Sequence, residues 1–208
     1  MKAKPDLQSA YALEGPEANL KLYADWAKSY DQSFAQETDY QSPTVVARAY
    51  AALGFAGPVL DLGAGTGLVG EELCKLGPFE IDATDLSAEM LAVAEAKQVY
   101  RRLFQGDLTR RLDIMDGHYT GAVSAGTFTH GHVGPNAMAE VLRILHPGGA
   151  AVLTVNAEHW QAKGFEAALD RLSDKIAETT RSEFALYGEK ATGSHAHDKG
   201  ILLTLIRA

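Results

Sequence analysis

Residues 59–70, Val-Leu-Asp-Leu-Gly-Ala-Gly-Thr-Gly-Leu-Val-Gly, run from an apolar stretch through a cluster of glycines into a helical apolar pattern. A chain that passes from strand to helix through so tight a turn is committed to a βα unit. The pattern then repeats. Strands are expected at 59–62, 80–84, 103–105, 121–125 and 150–156, with helices at 67–76, 87–97 and 136–145, the last halted by Pro147-Gly148-Gly149. Ser87, with Glu89 close behind it, caps the second of these helices. A further helix at 43–53 precedes the first strand, with Pro43 in its first turn, Ser42 as its cap and Gly54 as its stop.

Strands alternating with helices at this interval imply an α/β fold built on a doubly wound, mostly parallel sheet. The end of the chain behaves differently. After a helix at 160–178, the segments 180–187 and 201–207 have only a polar loop between them, so an antiparallel hairpin completes seven strands. Ahead of the sheet, Leu20, Leu22, Tyr23, Trp26 and Tyr30 recur at near-helical spacing, followed by a polar stretch at 31–42. The expectation is one domain over 1–208: a helical cap at 1–43 over the active site, and a core at 44–208.

The glycine turn points to chemistry. It lets backbone approach a nucleotide-like ligand, and Asp85, at the end of the strand 81–85, stands where a carboxylate can hold two ribose hydroxyls. Two registers compete. Gly65 to Gly70 fits the GxGxxG of nicotinamide enzymes, which keeps a dinucleotide-dependent oxidoreductase as an alternative. Asp61 to Gly67 instead reads as an acid followed by GxGxG. That register accounts for Asp61, whose charge repels a pyrophosphate on the helix N-terminus but suits a cationic amino-acid cofactor.

Four segments in order resemble the class I S-adenosylmethionine-dependent methyltransferase family. Val59 to Gly67 is similar to its first motif, and Asp85-Leu86-Ser87-Ala88-Glu89-Met90-Leu91 to its second-strand acid and the helix after it. Gly106-Asp107-Leu108 is similar to its adenine-contacting segment, and Leu142 to Gly149 to the turn before its fifth strand. Tyr30-Asp31, Gly67 to Gly70 and Gly126 to Gly134 bring the chain close to the methyltransferase-like 27 group. The resemblance implies a Rossmann-like sheet and S-adenosyl-L-methionine as cofactor. It assigns Gly63, Ala64 and Gly65 to the methionine part, Asp61 to the turn and the ammonium, and Asp85 to the ribose. Leu86 and Met90 would pack on the adenine, Gly106, Asp107 and Leu108 would flank it, and Asp107 would take its amino group. Ala125 and Gly126 would offer carbonyls to the ammonium, and Tyr30 would close the pocket. Structural readings compete here too: Asp85 as a helix cap, Asp107 as a turn residue, Leu86 and Met90 as core.

Methyl displacement from a sulfonium needs alignment more than a catalytic constellation. The base candidates are His130 and His132, in the loop after the fourth strand, and they compete with a reading as plain loop residues. Tyr11, Tyr23, Trp26, Tyr30 and the loop at 128–132 are expected to roof the acceptor pocket. His195, His197 and Asp198 read as solvated loop residues, so no metal is expected. A net charge of −8, from 19 Lys and Arg against 27 Asp and Glu, offers no electrostatic footprint for nucleic acid. The pairs Arg101-Arg102 and Arg110-Arg111 read as solvated surface. A small-molecule acceptor is therefore expected, in a monomer or homodimer, without a membrane segment or a secretory signal. The single cysteine, Cys74, reads as a packed helix residue in a cytoplasmic protein. A protein that binds the cofactor without turnover is the alternative from another class.

Overall fold

A computed structural model describes residues 16–208, so Tyr11 lies outside the described residues. Seven strands form one sheet: β1 Pro58–Leu62, β2 Glu80–Asp85, β3 Arg102–Gln105, β4 Tyr119–Phe128, β5 Leu145–Asn156, β6 Ile176–Ala185 and β7 Lys199–Arg207. Their order is β3-β2-β1-β4-β5-β7-β6. The first five strands run parallel, and β7 is antiparallel to both β5 and β6. This is the predicted doubly wound sheet with its antiparallel hairpin.

Successive side chains of a strand point to opposite faces, and the sheet sorts its apolar residues accordingly. Leu60, Leu62, Ala122, Leu153 and Leu203 belong to one core. Val59, Ile81, Val123 and Val152 belong to another, under helices α2 Ser42–Ala52 and α3 Leu68–Leu76. Asp61 shares the Val59 face, which puts its carboxyl beneath the start of α3. Strand β1 pairs with β2 on one side and β4 on the other, and the chain winds in opposite directions from there. In open α/β sheets the crevice at such a reversal, outside the carboxyl ends of the strands, is where ligands bind.

The leading segment has its own small core. Helix α1 Pro16–Trp26 leads to a π-helical turn, Asp31–Gln36, inside the stretch read as merely polar. Phe34 is buried there, packed with Trp26, Leu186 and Tyr187 of the hairpin end. A short bridge between Tyr40 and Tyr187 fixes the seam.

Five local expectations need correction. The helix expected at 160–178 is two short ones, α6 Ala157–Lys163 and α7 Phe165–Asp170, parted by Gly164 at φ 68°. Asn156 caps α6 by accepting from the backbone of Glu158 and His159. Strand β6 begins already at Ile176, because pairing with Arg207 and packing of Ile176 on the core outweigh helical periodicity. Pro147-Gly148-Gly149 does not stop a helix. Helix α5 Met138–Ile144 has ended before it, and the tripeptide lies within β5 where the register against β4 shifts. Ser42 is the first residue of α2, not its cap. Cys74 is exposed, because the buried stripe of α3 is Val69, Gly70 and Leu73. Among the described residues, no helix is long and apolar enough to cross a membrane.

Candidate active site

A cavity of about 160 Å³ opens at the carboxyl ends of β1, β2 and β4. Of the predicted cofactor residues, Tyr30, Gly63, Ala64, Gly65, Asp85, Leu86, Met90, Gly106, Asp107, Leu108, Ala125 and Gly126 line it. Asp61 is not brought to the wall.

The turn is shaped by backbone hydrogen bonds to β2. The N–H groups of Gly63 and Ala64 donate to the Thr84 carbonyl at 2.8 and 3.0 Å. Gly63 and Gly65 have φ of 66° and 55°, which side-chain-bearing residues rarely adopt. A Cβ on Gly63 would collide with Thr127, whose hydroxyl donates to the Leu62 carbonyl at 3.1 Å. A Cβ on Gly65 would meet nothing within 4 Å, so the backbone there faces open cavity.

Asp85 is held from two sides. Gly65 N–H donates to its Oδ2 and Ser87 N–H to its Oδ1, both at 2.8 Å. Burial raises its pKa against these hydrogen bonds. Each oxygen keeps a further lone pair for a ligand hydroxyl. The cap of helix α4 Ala88–Ala96 is Ser87, accepting from Met90 N–H, so Asp85 shapes the turn before the helix rather than capping it. Asp107 Oδ1 accepts from the Thr109 N–H and hydroxyl at 2.8 and 2.6 Å, so it also builds a turn at the rim.

Asp61 is fully buried. Tyr100 Oη donates to its Oδ2 at 2.7 Å and accepts from Gly70 N–H at 3.2 Å, which ties the end of β1 to α3. Its Oδ1 has no partner, and burial pushes the carboxyl up to about 7. Gly70 is explained by the same contact, since a Cβ there would enter the Tyr100 ring. Neither Gly67 nor Gly70 lines the cavity, so the register that favoured a dinucleotide enzyme loses its support.

A second, smaller cavity of about 60 Å³ adjoins the first. Tyr23, Tyr30, Tyr40, Gly126 and His132 border both, and Trp26, Phe34, Thr129, His130 and Asn156 are among those lining the second alone. His132 Nδ1 stands 2.7 Å from the His130 carbonyl and Nε2 stands 3.1 Å from Tyr23 Oη. Burial lowers the His132 pKa. His130 lies farther along, with Nε2 3.9 Å from Glu158. In the β6–β7 loop, His195 Nδ1 is 3.0 Å from Asp198 Oδ2.

Several residues here escaped sequence reasoning. Tyr100 and Thr127 act across the sheet with no local motif to announce them. Asp31 accepts from the Thr66 hydroxyl and pairs with Lys97 Nζ at 2.7 Å, while Lys97 also meets Glu71. These contacts clasp the leading segment to the glycine turn. The four arginines read as solvated surface are exposed, and ion pairs form there: Arg101 with buried Asp82 at 2.9 Å, and Arg111 with Asp116 at 2.8 Å.

A doubly wound sheet with a glycine turn after β1 and an acid closing β2 is the frame of a nucleoside-cofactor enzyme. Comparison with known proteins makes the family definite. Residues 59–149 match the methyltransferase-domain family. The chain is similar to methyltransferase-like protein 27 of Homo sapiens, 32% identical over 174 residues, covering 80% of this chain and 70% of that protein. It belongs to the class I S-adenosylmethionine-dependent methyltransferases. Solved structures of the same fold include a TehB-like S-adenosylmethionine-dependent methyltransferase from Corynebacterium glutamicum, with TM-score 0.64 and 21% identity over 93% of this chain and 100% of that one. A complex of DhpI with S-adenosylhomocysteine has TM-score 0.63 and 21% identity over 92% and 95%.

Proposed function

We propose that this chain transfers a methyl group from S-adenosylmethionine to a small-molecule acceptor by direct displacement. The observation that carries the reading is the pair of adjoining cavities, one edged by the glycine turn and Asp85, the other by aromatic side chains, with a shared wall between them. When bound, the cofactor supplies a methyl group on a positively charged sulfur, already activated for transfer.

The residues present fit that cofactor. Asp85, half-buried and pre-oriented by Gly65 and Ser87, accepts from the two ribose hydroxyls, and their donation offsets its desolvation. Open backbone at Gly63, Ala64 and Gly65 accommodates the methionine part. Leu86, Met90, Gly106 and Leu108 enclose the adenine, and Asp107 Oδ2 takes its amino group. The carbonyls of Ala125 and Gly126 meet the ammonium, while Asp61 acts on the turn through Tyr100. Tyr30, carried by the leading segment, closes the pocket and excludes water, so residues 1–43 serve as a cap over the core at 44–208. His132 and His130 supply the base chemistry. The acidic net charge favours a small molecule over nucleic acid, and the single cysteine suits a cytoplasmic enzyme.

Calorimetry tests the reading directly. S-adenosylmethionine or S-adenosylhomocysteine should bind with a micromolar Kd, and Asp85→Ala should weaken binding at least a hundredfold, about 2.7 kcal/mol. No heat with either compound would sink the proposal, and an unchanged Asp85→Ala affinity would remove the ribose assignment. Binding with no turnover on any acceptor would leave a cofactor-binding protein.

A further inference from the structure

The hydrogen bonds of His132 settle where its proton lies. A carbonyl only accepts, so the 2.7 Å contact with the His130 carbonyl requires a hydrogen on Nδ1. A neutral imidazole then carries its lone pair on Nε2, and Tyr23 Oη, 3.1 Å away, must donate to it. The two lone pairs of Tyr23 Oη are left to accept. Both side chains stand on the wall shared by the two cavities, where an acceptor must approach the methyl group.

The second cavity also constrains what can enter. Aromatic rings dominate its lining, and no described lining residue is Asp, Glu, Lys or Arg. An anionic acceptor would lose its hydration without a cationic partner. A cationic one would meet the sulfonium with no carboxylate between them, and a protonated amine has no lone pair to attack with. Resting on the methyl-transfer reading, we propose that the second cavity takes a small, uncharged aromatic acceptor bearing a protic nucleophile, and that Tyr23 relays its proton to His132.

The acceptor's O–H, N–H or S–H donates to Tyr23 Oη as the Tyr23 proton passes to His132 Nε2. The nucleophilic atom's lone pair forms the bond to the methyl carbon while the carbon–sulfur bond breaks, its electron pair remaining on sulfur. The acceptor has exchanged one hydrogen for one methyl, Tyr23 is restored, and His132 has become an imidazolium. Its Nδ1–H bond to the His130 carbonyl supports that charge. Tyr23, His130 and His159 are the titratable groups facing His132, and both histidines oppose a second positive charge there. Their repulsion favours release of the proton once the methyl group has moved.

The test uses the full chain and initial rates of S-adenosylhomocysteine formation, with phenol, catechol and phenylmethanethiol as neutral probes and 4-hydroxybenzoate and tyramine as charged counterparts. At least one neutral probe should be methylated, tenfold or more faster than the charged phenols. Tyr23→Phe should lower kcat at least tenfold with KM and S-adenosylhomocysteine affinity within twofold. The wild-type rate should rise tenfold per pH unit below the His132 pKa and level off above it, and His132→Gln should lose that dependence and about a hundredfold in rate. Imidazole nitrogen-15 spectra of the wild type should show His132 protonated at Nδ1. Faster charged probes, no neutral turnover despite intact S-adenosylhomocysteine binding, wild-type kcat in Tyr23→Phe, or an Nε2–H tautomer would each overturn the proposal. Failure of the chain to bind the cofactor at all would instead remove the methyl-transfer reading, and this one with it.

Discussion

Among single residues, Asp61 carries an electrostatic liability. Its carboxyl is held near 7, above the ordinary 3.8, because burial outweighs the Tyr100 hydrogen bond. Between those values the folded protein keeps a proton that the unfolded chain has released. Stability therefore falls as pH rises through that window, and the handicap disappears below about 3.8. Asp61→Asn preserves an acceptor for Tyr100 and removes the charge. Urea unfolding at pH 5 and pH 8 should show the variant gaining on wild type by about 2.6 kcal/mol more at the higher pH. An equal effect at both pH values would mean that the carboxyl titrates normally. Asp85 and Asp107 were legible in the sequence because their turns are local, closed within two residues. The Asp61–Tyr100 pair spans 39 residues and joins two elements, so no window of sequence could announce it.

Elements followed the sequence where local signals agreed with tertiary demand. The strand interiors and the helices after β1 and β2 were legible from apolar runs, the glycine turn and the Ser87 cap. The helix expected at 160–178 failed because Gly164 breaks it, and because the strand beginning at Ile176 finds its partner in Arg207, far along the chain. The polar reading of 31–42 failed for a related reason. Its apolar residues, Phe34, Ala35 and Tyr40, are too few to show a period, and the companions of Phe34, Leu186 and Tyr187, come from the other end of the protein. That stretch also carries the clasp, in which Asp31 receives the Thr66 hydroxyl and the Lys97 ammonium. Asp31→Ala should leave the core folded while releasing Thr66 and the glycine turn. We expect S-adenosylhomocysteine affinity to fall about fivefold to tenfold, roughly 1 kcal/mol for a lost, partly exposed charge-assisted contact. Calorimetry decides it: an affinity within twofold of wild type would show that the leading segment is held by its aromatic packing alone.

Across the whole molecule, the leading segment is the piece that joins otherwise separate regions. Its rings pack on the hairpin end through Tyr187 and Leu186, its Asp31 reaches the glycine turn, and its Tyr23 reaches the loop after β4. The cavity beside the glycine turn is edged by β1, β2 and β4, whose interiors are buried on both faces. The second cavity takes part of its aromatic wall from this segment, so the order of the segment should follow ligand occupancy. A ligand that binds only the closed arrangement stabilises it by mass action, about 2.7 kcal/mol at a hundred times Kd. Hydrogen exchange should therefore slow at 20–41 when S-adenosylhomocysteine is added, well beyond any change in the already protected β4 and β5. The effect should shrink in Asp31→Ala and persist in Tyr23→Phe, since only the first of these variants cuts the connection to the glycine turn. Equal protection of the segment with and without ligand would mean that it is a fixed wall, and acceptors would then have to enter past the loop at 128–132.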